Sequence, residues 1–226
     1  MKLLRVLTIP AAAALAVTAA TAALPAQANH SWGGYHWARA GGAATPALVS
    51  SLTSDWTGNL STARTDWNKS PYVESAIVSG DASSRTRRRC AMTSGQVHVC
   101  NYAYGNNGWA GLASINLSGG THISQGSVKL NDTYEAGSPA AERQGVMCQE
   151  VGHTYGLDHQ DEDFNNPNLG TCMDYTNDWS TNQHPNQHDY DELALIYNHT
   201  DAAAAKASHV STIKTGNTVT MITWAQ

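Results

Sequence analysis

The stretch CQEVGHTYGLDHQD, residues 148–161, concentrates the side chains best suited to chemistry. His153 and His159 offer imidazole nitrogens, Glu150 a carboxylate and Gln149 an amide oxygen, and Gly156 lies between the histidines. On a helix Gln149 and His153, four residues apart, share a face, and Glu150 projects beside them. The glycine can take the left-handed conformation that ends a helix, which swings His159 back toward the same point. Such a set can hold a divalent ion with one position open, while the carboxylate takes a proton from water that the ion activates. The spacing is that of H-E-x-x-H, with glutamine at its first position.

A helix must carry this motif, and the sequence predicts one from about Pro139 to Tyr155, capped by Ser138, with Pro139 at the first helical position where no N–H is needed. Upstream, Trp32 to Trp37 alternates as a half-buried strand does, and Trp56, Leu60, Ala63 and Trp67 fall at helical spacing before Pro71 stops the chain. Tyr72 to Val78 reads as a strand, Cys90 to Tyr104 as a β-hairpin, and GWAGLASINL and GSVKLND as two more strands with glycine-rich turns between. Beyond Gly156 the stretch from Asp158 to Asn186 is rich in Asn, Asp, Pro and Gly, so it should be mostly irregular. A last helix is expected from His188 to about His199, with Tyr190, Leu193, Ala194 and Tyr197 on one face, then a C-terminal β extension at about 208–226. The fold class is α+β.

The chain opens with MKLLR, an apolar run to about Ala23 and the A-x-A pattern at Ala26 to Ala28, which reads as a secretory leader over residues 1–28. Cleavage there leaves about 200 residues, 29–226, enough for one domain with a substantial core. Removing Lys2 and Arg5 makes the formal charge of −5 more negative by two, which argues against nucleic acid or an anionic membrane as a partner. The basic cluster Arg85, Arg87, Arg88 and Arg89 reads as a solvated loop. Four cysteines in an exported chain suggest two disulfides. Three pairings are possible, and the ten-residue separation of Cys90 and Cys100 favours joining those two, which leaves Cys148 with Cys172.

QEVGHTYGLDHQ resembles the metzincin signature H-E-x-x-H-x-x-G-x-x-H at every defined position but the first, and TCMDY, residues 171–175, resembles the downstream Met-turn of that superfamily. The order of upstream elements is similar to the compact matrixin-like catalytic domain. The resemblance implies a metzincin-like mixed sheet with an active-site helix and an irregular C-terminal subdomain. It also implies a secreted, monomeric zinc endopeptidase acting on proteins or peptides, with Zn2+ on His153 and His159, Glu150 as general base, Met173 beneath the metal and Tyr175 stabilising the transition state. Glutamine is a weaker zinc donor than imidazole, so two readings of the third ligand stay open: Gln149 itself, or His184 or His188 in its place. Two readings of function stay open with them, an active peptidase or a non-catalytic module that binds peptide or protein in the old cleft.

Overall fold

The computed structural model describes residues 30–201 and 217–224, so the expected leader and most of the expected C-terminal extension lie outside the described residues. Among these residues no helix is long and apolar enough to cross a membrane. The chain is α+β, built on one mixed sheet. Its strands are β1 (His36–Trp37), β2 (Ala47–Ser51), β3 (Ile77–Ser79), β4 (Gln96–Tyr102), β5 (Trp109–Ser118), β6 (His122–Asn131) and β7 (Thr218–Trp224). The order across the sheet is β3-β2-β4-β6-β5-β7, with β1 also paired to β6. The strands from β3 to β6 run parallel, whereas β5 and β7 are antiparallel to their neighbours.

Helix α1 (Thr57–Trp67) buries Trp56 just before its start, then Leu60, Ala63 and Trp67, the helical spacing read in the sequence. These side chains pack with Val146, Met147 and Val151 of α4 (Ala140–His153), and the core continues through Val97, Val99, Ile115, Val128 and Leu130 on the sheet. A short α3 (Asp132–Glu135) leads into α4, and α5 (Gln187–Tyr197) closes the other side with Leu193 and Tyr197 buried. Residues 158–186 between α4 and α5 contain no helix or strand element, as their composition predicts.

Several local expectations differ. Cys90 to Tyr104 is not a hairpin. A helix α2 (Ser84–Arg89), capped by Ser83, occupies the basic cluster and ends at Cys90 in the left-handed region at φ 45°. The chain then enters β4, whose partners β2 and β6 are parallel strands from distant sequence, so alternation marked the strand but not its neighbours. None of the α2 residues is buried, which is why the arginines gave no core signal. The first strand shrinks to His36–Trp37, because Gly33 and Gly34 turn the chain at positive φ. The third starts only at Ile77, and β2 was not expected at all. Ser138 does not cap α4. Its hydroxyl bonds the Tyr134 carbonyl, and Pro139 takes the cap position with no side-chain bond. In the tail one strand, β7, pairs with β5.

Disulfides join Cys90 to Cys100 and Cys148 to Cys172. The second ties α4 to the segment that carries Met173 and closes a sequence separation of 24 residues against 10 for the first. Replacing Cys148 and Cys172 together by Ser should therefore lower unfolding stability by about 3 kcal/mol, somewhat more than replacing Cys90 and Cys100. Urea melts of the two double variants beside the parent read the difference.

Candidate metal centre

Gly156 sets the site. It follows α4 at φ +96°, and a Cβ there would lie 1.8 Å from the Tyr35 carbonyl oxygen, so only glycine allows this approach of two backbones. Its own carbonyl accepts from the Trp32 N–H at 2.8 Å. The turn returns the chain so that Nε2 of His159 stands 3.1 Å from Nε2 of His153, both side chains being buried.

The other ring nitrogens decide what these two atoms present. Nδ1–H of His153 donates to the Leu157 carbonyl at 2.9 Å, and Nδ1–H of His159 donates to Glu162 Oε1 at 3.3 Å. A carbonyl or carboxylate oxygen can only accept, so each Nδ1 carries the proton and each Nε2 of a neutral ring offers its lone pair. Both rings are kept neutral. Burial, then His159, then His30 hold His153 well below the usual imidazole range, with the Leu157 bond opposing. Burial and then His30 bring His159 down to about 3. Two lone pairs thus face each other in a buried site, which repels unless a cation lies between them. The 3.1 Å separation is close to the edge of a tetrahedron with zinc–nitrogen distances near 2.0 Å, about 3.3 Å. The pair fits the metal that the motif implies.

Gln149 is fully buried one helical turn before His153, and Glu150 beside it is also fully buried. Glu150 lies on β5: a Cβ at Gly111 would come within 2.5 Å of its Oε1, so the strand holds the carboxylate by lacking a side chain. Gly152, just before His153, is packed on by the Trp67 ring and the Met173 sulfur, 2.6 and 2.7 Å from where its Cβ would be. Met173 therefore sits against the helix that carries the histidine, and it is wholly buried. Tyr175 packs its ring 4.3 Å from that of His159 and stacks on Phe164. Burial first, then Glu162, Glu150 and Asp158, raise its phenol pKa, so the hydroxyl keeps its proton.

The two alternative histidines are placed differently. Nδ1 of His184 meets Asp66 Oδ2 at 2.6 Å on the α1 side, and His188 stacks on His30 with ring centroids 4.9 Å apart. Sequence reasoning missed His30 and Asp189. Asp189 is completely buried and accepts from Thr171 Oγ1 at 2.5 Å, Gln160 Nε2 and the Asn186 N–H at 2.8 Å, and His30 Nε2 at 3.1 Å. It thereby joins the Met173 turn, the residue after His159 and the segment before β1 that begins at His30. Its sequence signal was the capping box that Asn186 and Asp189 form at the start of α5. His30, far from the motif in sequence, gave none.

The pair also sets a pH dependence. The folded pKa of His159, about 3, lies below the unfolded value of 6.5, so the unfolded chain binds more protons once pH drops below 6.5. In chelator-treated protein, stability should therefore fall as pH falls from about 6.5 toward 3, by up to about 1.4 kcal/mol per pH unit for each such imidazole. Urea melts at pH 7 and pH 5 should show a smaller drop for His159→Gln than for the parent.

No protein-family model and no curated protein sequence matches the chain. Among solved structures it is similar to high choriolytic enzyme 1, a hatching-enzyme zinc-protease from the medaka fish Oryzias latipes. The TM-score is 0.40 at 12% identity, over 72% of this chain and 94% of that one. It is similar to myroilysin, with TM-score 0.42 at 9% identity over 73% and 86% of the two chains. Archaemetzincin from Archaeoglobus fulgidus gives TM-score 0.37 at 15% identity over 66% and 98%.

Proposed function

We propose that this chain is an exported zinc-dependent endopeptidase of metzincin type, with His153, His159 and Gln149 as ligands, Glu150 as general base and Tyr175 as oxyanion donor. The observation that carries this reading is the pair of buried, neutral imidazoles with opposed lone pairs 3.1 Å apart, one at the end of α4 and one returned to it by the Gly156 turn, with the buried carboxylate of Glu150 on the same helix. A zinc ion held there supplies Lewis-acid activation of water and of the scissile carbonyl. The remaining steps belong to the protein. Glu150, backed by the bare strand at Gly111, takes the proton from the attacking water and returns it to the departing amine. Tyr175, its phenol kept protonated, donates to the carbonyl oxygen as that atom gains charge. Gln149 adds an uncharged donor, so the ligand set leaves the double charge of the ion undiminished, where a carboxylate would have halved it. Export is supported by the leader pattern and by the two disulfides. The substrate is a protein or peptide, and the chain acts as a monomer.

Two tests follow from this assignment. Glu150→Gln should lower peptide hydrolysis by roughly 100-fold or more while zinc content stays at the parental level, because the carboxylate moves a proton and does not hold the ion. Hydrolysis at the parental rate would remove Glu150 from that role, and a parent without zinc in zinc-replete medium would favour a non-catalytic binding module. Gln149→His should tighten zinc binding at least several-fold in a competition with a chelator, since imidazole replaces an amide oxygen. Unchanged affinity would place Gln149 outside the ligand set.

A further inference from the structure

A second cluster of imidazoles lies outside the site described above. His36 on β1 pairs with His122 on β6 in parallel register, and the chain leaving α5 brings His199 and Asp201 over them. Asp201 Oδ1 is 3.2 Å from His36 Nε2, 3.0 Å from His122 Nε2 and 3.1 Å from His199 Nε2. His36 Nε2 and His199 Nε2 are themselves 3.1 Å apart. The carboxylate is aimed from behind, because its Oδ2 accepts from the Arg39 N–H at 2.5 Å and the Asp201 N–H returns a bond to the Arg39 carbonyl. Oδ1 is left for the three rings.

The proton arrangement repeats the logic of the first site with different residues. Nδ1–H of His36 donates to the Gly34 carbonyl at 2.8 Å, so a neutral His36 turns the Nε2 lone pair toward Asp201 Oδ1, another pure acceptor. That contact is repulsive unless a positive charge sits among these atoms. One ligand atom from each of His36, His122 and Asp201 lies within 4.8 Å of the others, and the two nitrogen–oxygen separations of 3.2 and 3.0 Å are close to the edge of a tetrahedron about a zinc-sized ion, about 3.3 Å. A set of two imidazoles and a carboxylate suits zinc better than the oxygen-seeking calcium or magnesium.

We propose that His36, His122 and Asp201 form a second zinc site, with His199 beside it, in which three protein ligands hold an ion that ties separate segments together. It clamps together the first strand, the β6 end of the β5–β6 hairpin and the exit from α5. The same first segment carries Trp32, whose ring stands edge-on to His153, so the clamp steadies one wall of the first site without touching it. His122 and His199 are partly open, with side chains 27% and 40% exposed, which gives an ion a way in.

The proposal stands apart from the catalytic reading and is tested apart from it. Metal analysis of the full chain, purified from zinc-replete medium, is compared between the parent, His122→Ala and Asp201→Asn. Both variants should hold about one equivalent of zinc less than the parent, and added chelator should lower the melting temperature of the parent by more than it lowers theirs. His159→Ala, by contrast, should leave the clamp's zinc in place. If Asp201→Asn does not fold, His122→Gln gives the same readout. Zinc content equal to the parent in His122→Ala and in His122→Gln would overturn the proposal, whatever the outcome for His153 and His159.

Discussion

The approach of two backbones at Gly156 is the constraint on which the rest of the structure depends. With the Tyr35 carbonyl 1.8 Å from where a side chain would begin, no other residue lets the first segment of the chain lie across the end of α4. That crossing fixes three further contacts. Trp37 Nε1–H donates to the Thr154 carbonyl, the Trp32 ring packs on His153, and the Tyr197 hydroxyl bonds the Tyr155 carbonyl from α5. The end of α4, the segment from Trp32 to Trp37 and α5 are thus assembled around one glycine. The same turn lets His159 come back to His153, so the packing and the chemistry share one cause.

What could be read from the sequence was what depends on near neighbours in the chain. α1 was legible because Trp56, Leu60, Ala63 and Trp67 repeat at helical spacing and all go to the core. α4 and the irregular stretch after it were legible from Pro139, Gly156 and the turn-forming residues of 158–186. The pairing of β4 was not, because Val97 and Val99 announce a strand without saying that its partners lie near residues 50 and 128. Within the candidate site the motif carried Gln149, Glu150, His153 and His159. It could not carry Gly111, which matters only because a strand from elsewhere passes under Glu150, nor His30 and Asp189, whose meeting spans 159 residues. Ordinary-looking histidines at 36, 122 and 199 were invisible for the same reason.

The polar interior is organised by who may donate. Asp189 is wholly buried and yet receives four hydrogen bonds, which offsets the cost of placing a carboxylate away from water. Around the first imidazole pair the balance runs the other way. The rings are kept neutral by burial and by the neighbouring His30, whereas burial and the carboxylates of Glu162, Glu150 and Asp158 push the Tyr175 phenol upward.

The distances in sequence have a consequence in time. The Asp201 carboxylate reaches His36 across 165 residues, and the His30 N–H reaches Glu192 across 162. Neither imidazole cluster can have its full surroundings until α5 has been made, because His30 and His36 meet partners 162 and 165 residues further along the chain. Folding of such a chain is governed by closing one very long loop, which makes it slow compared with helices that form from near neighbours. A growing chain therefore lacks these contacts for most of its synthesis, and gains them only when the segment around residues 30–36 meets the one around residues 189–201.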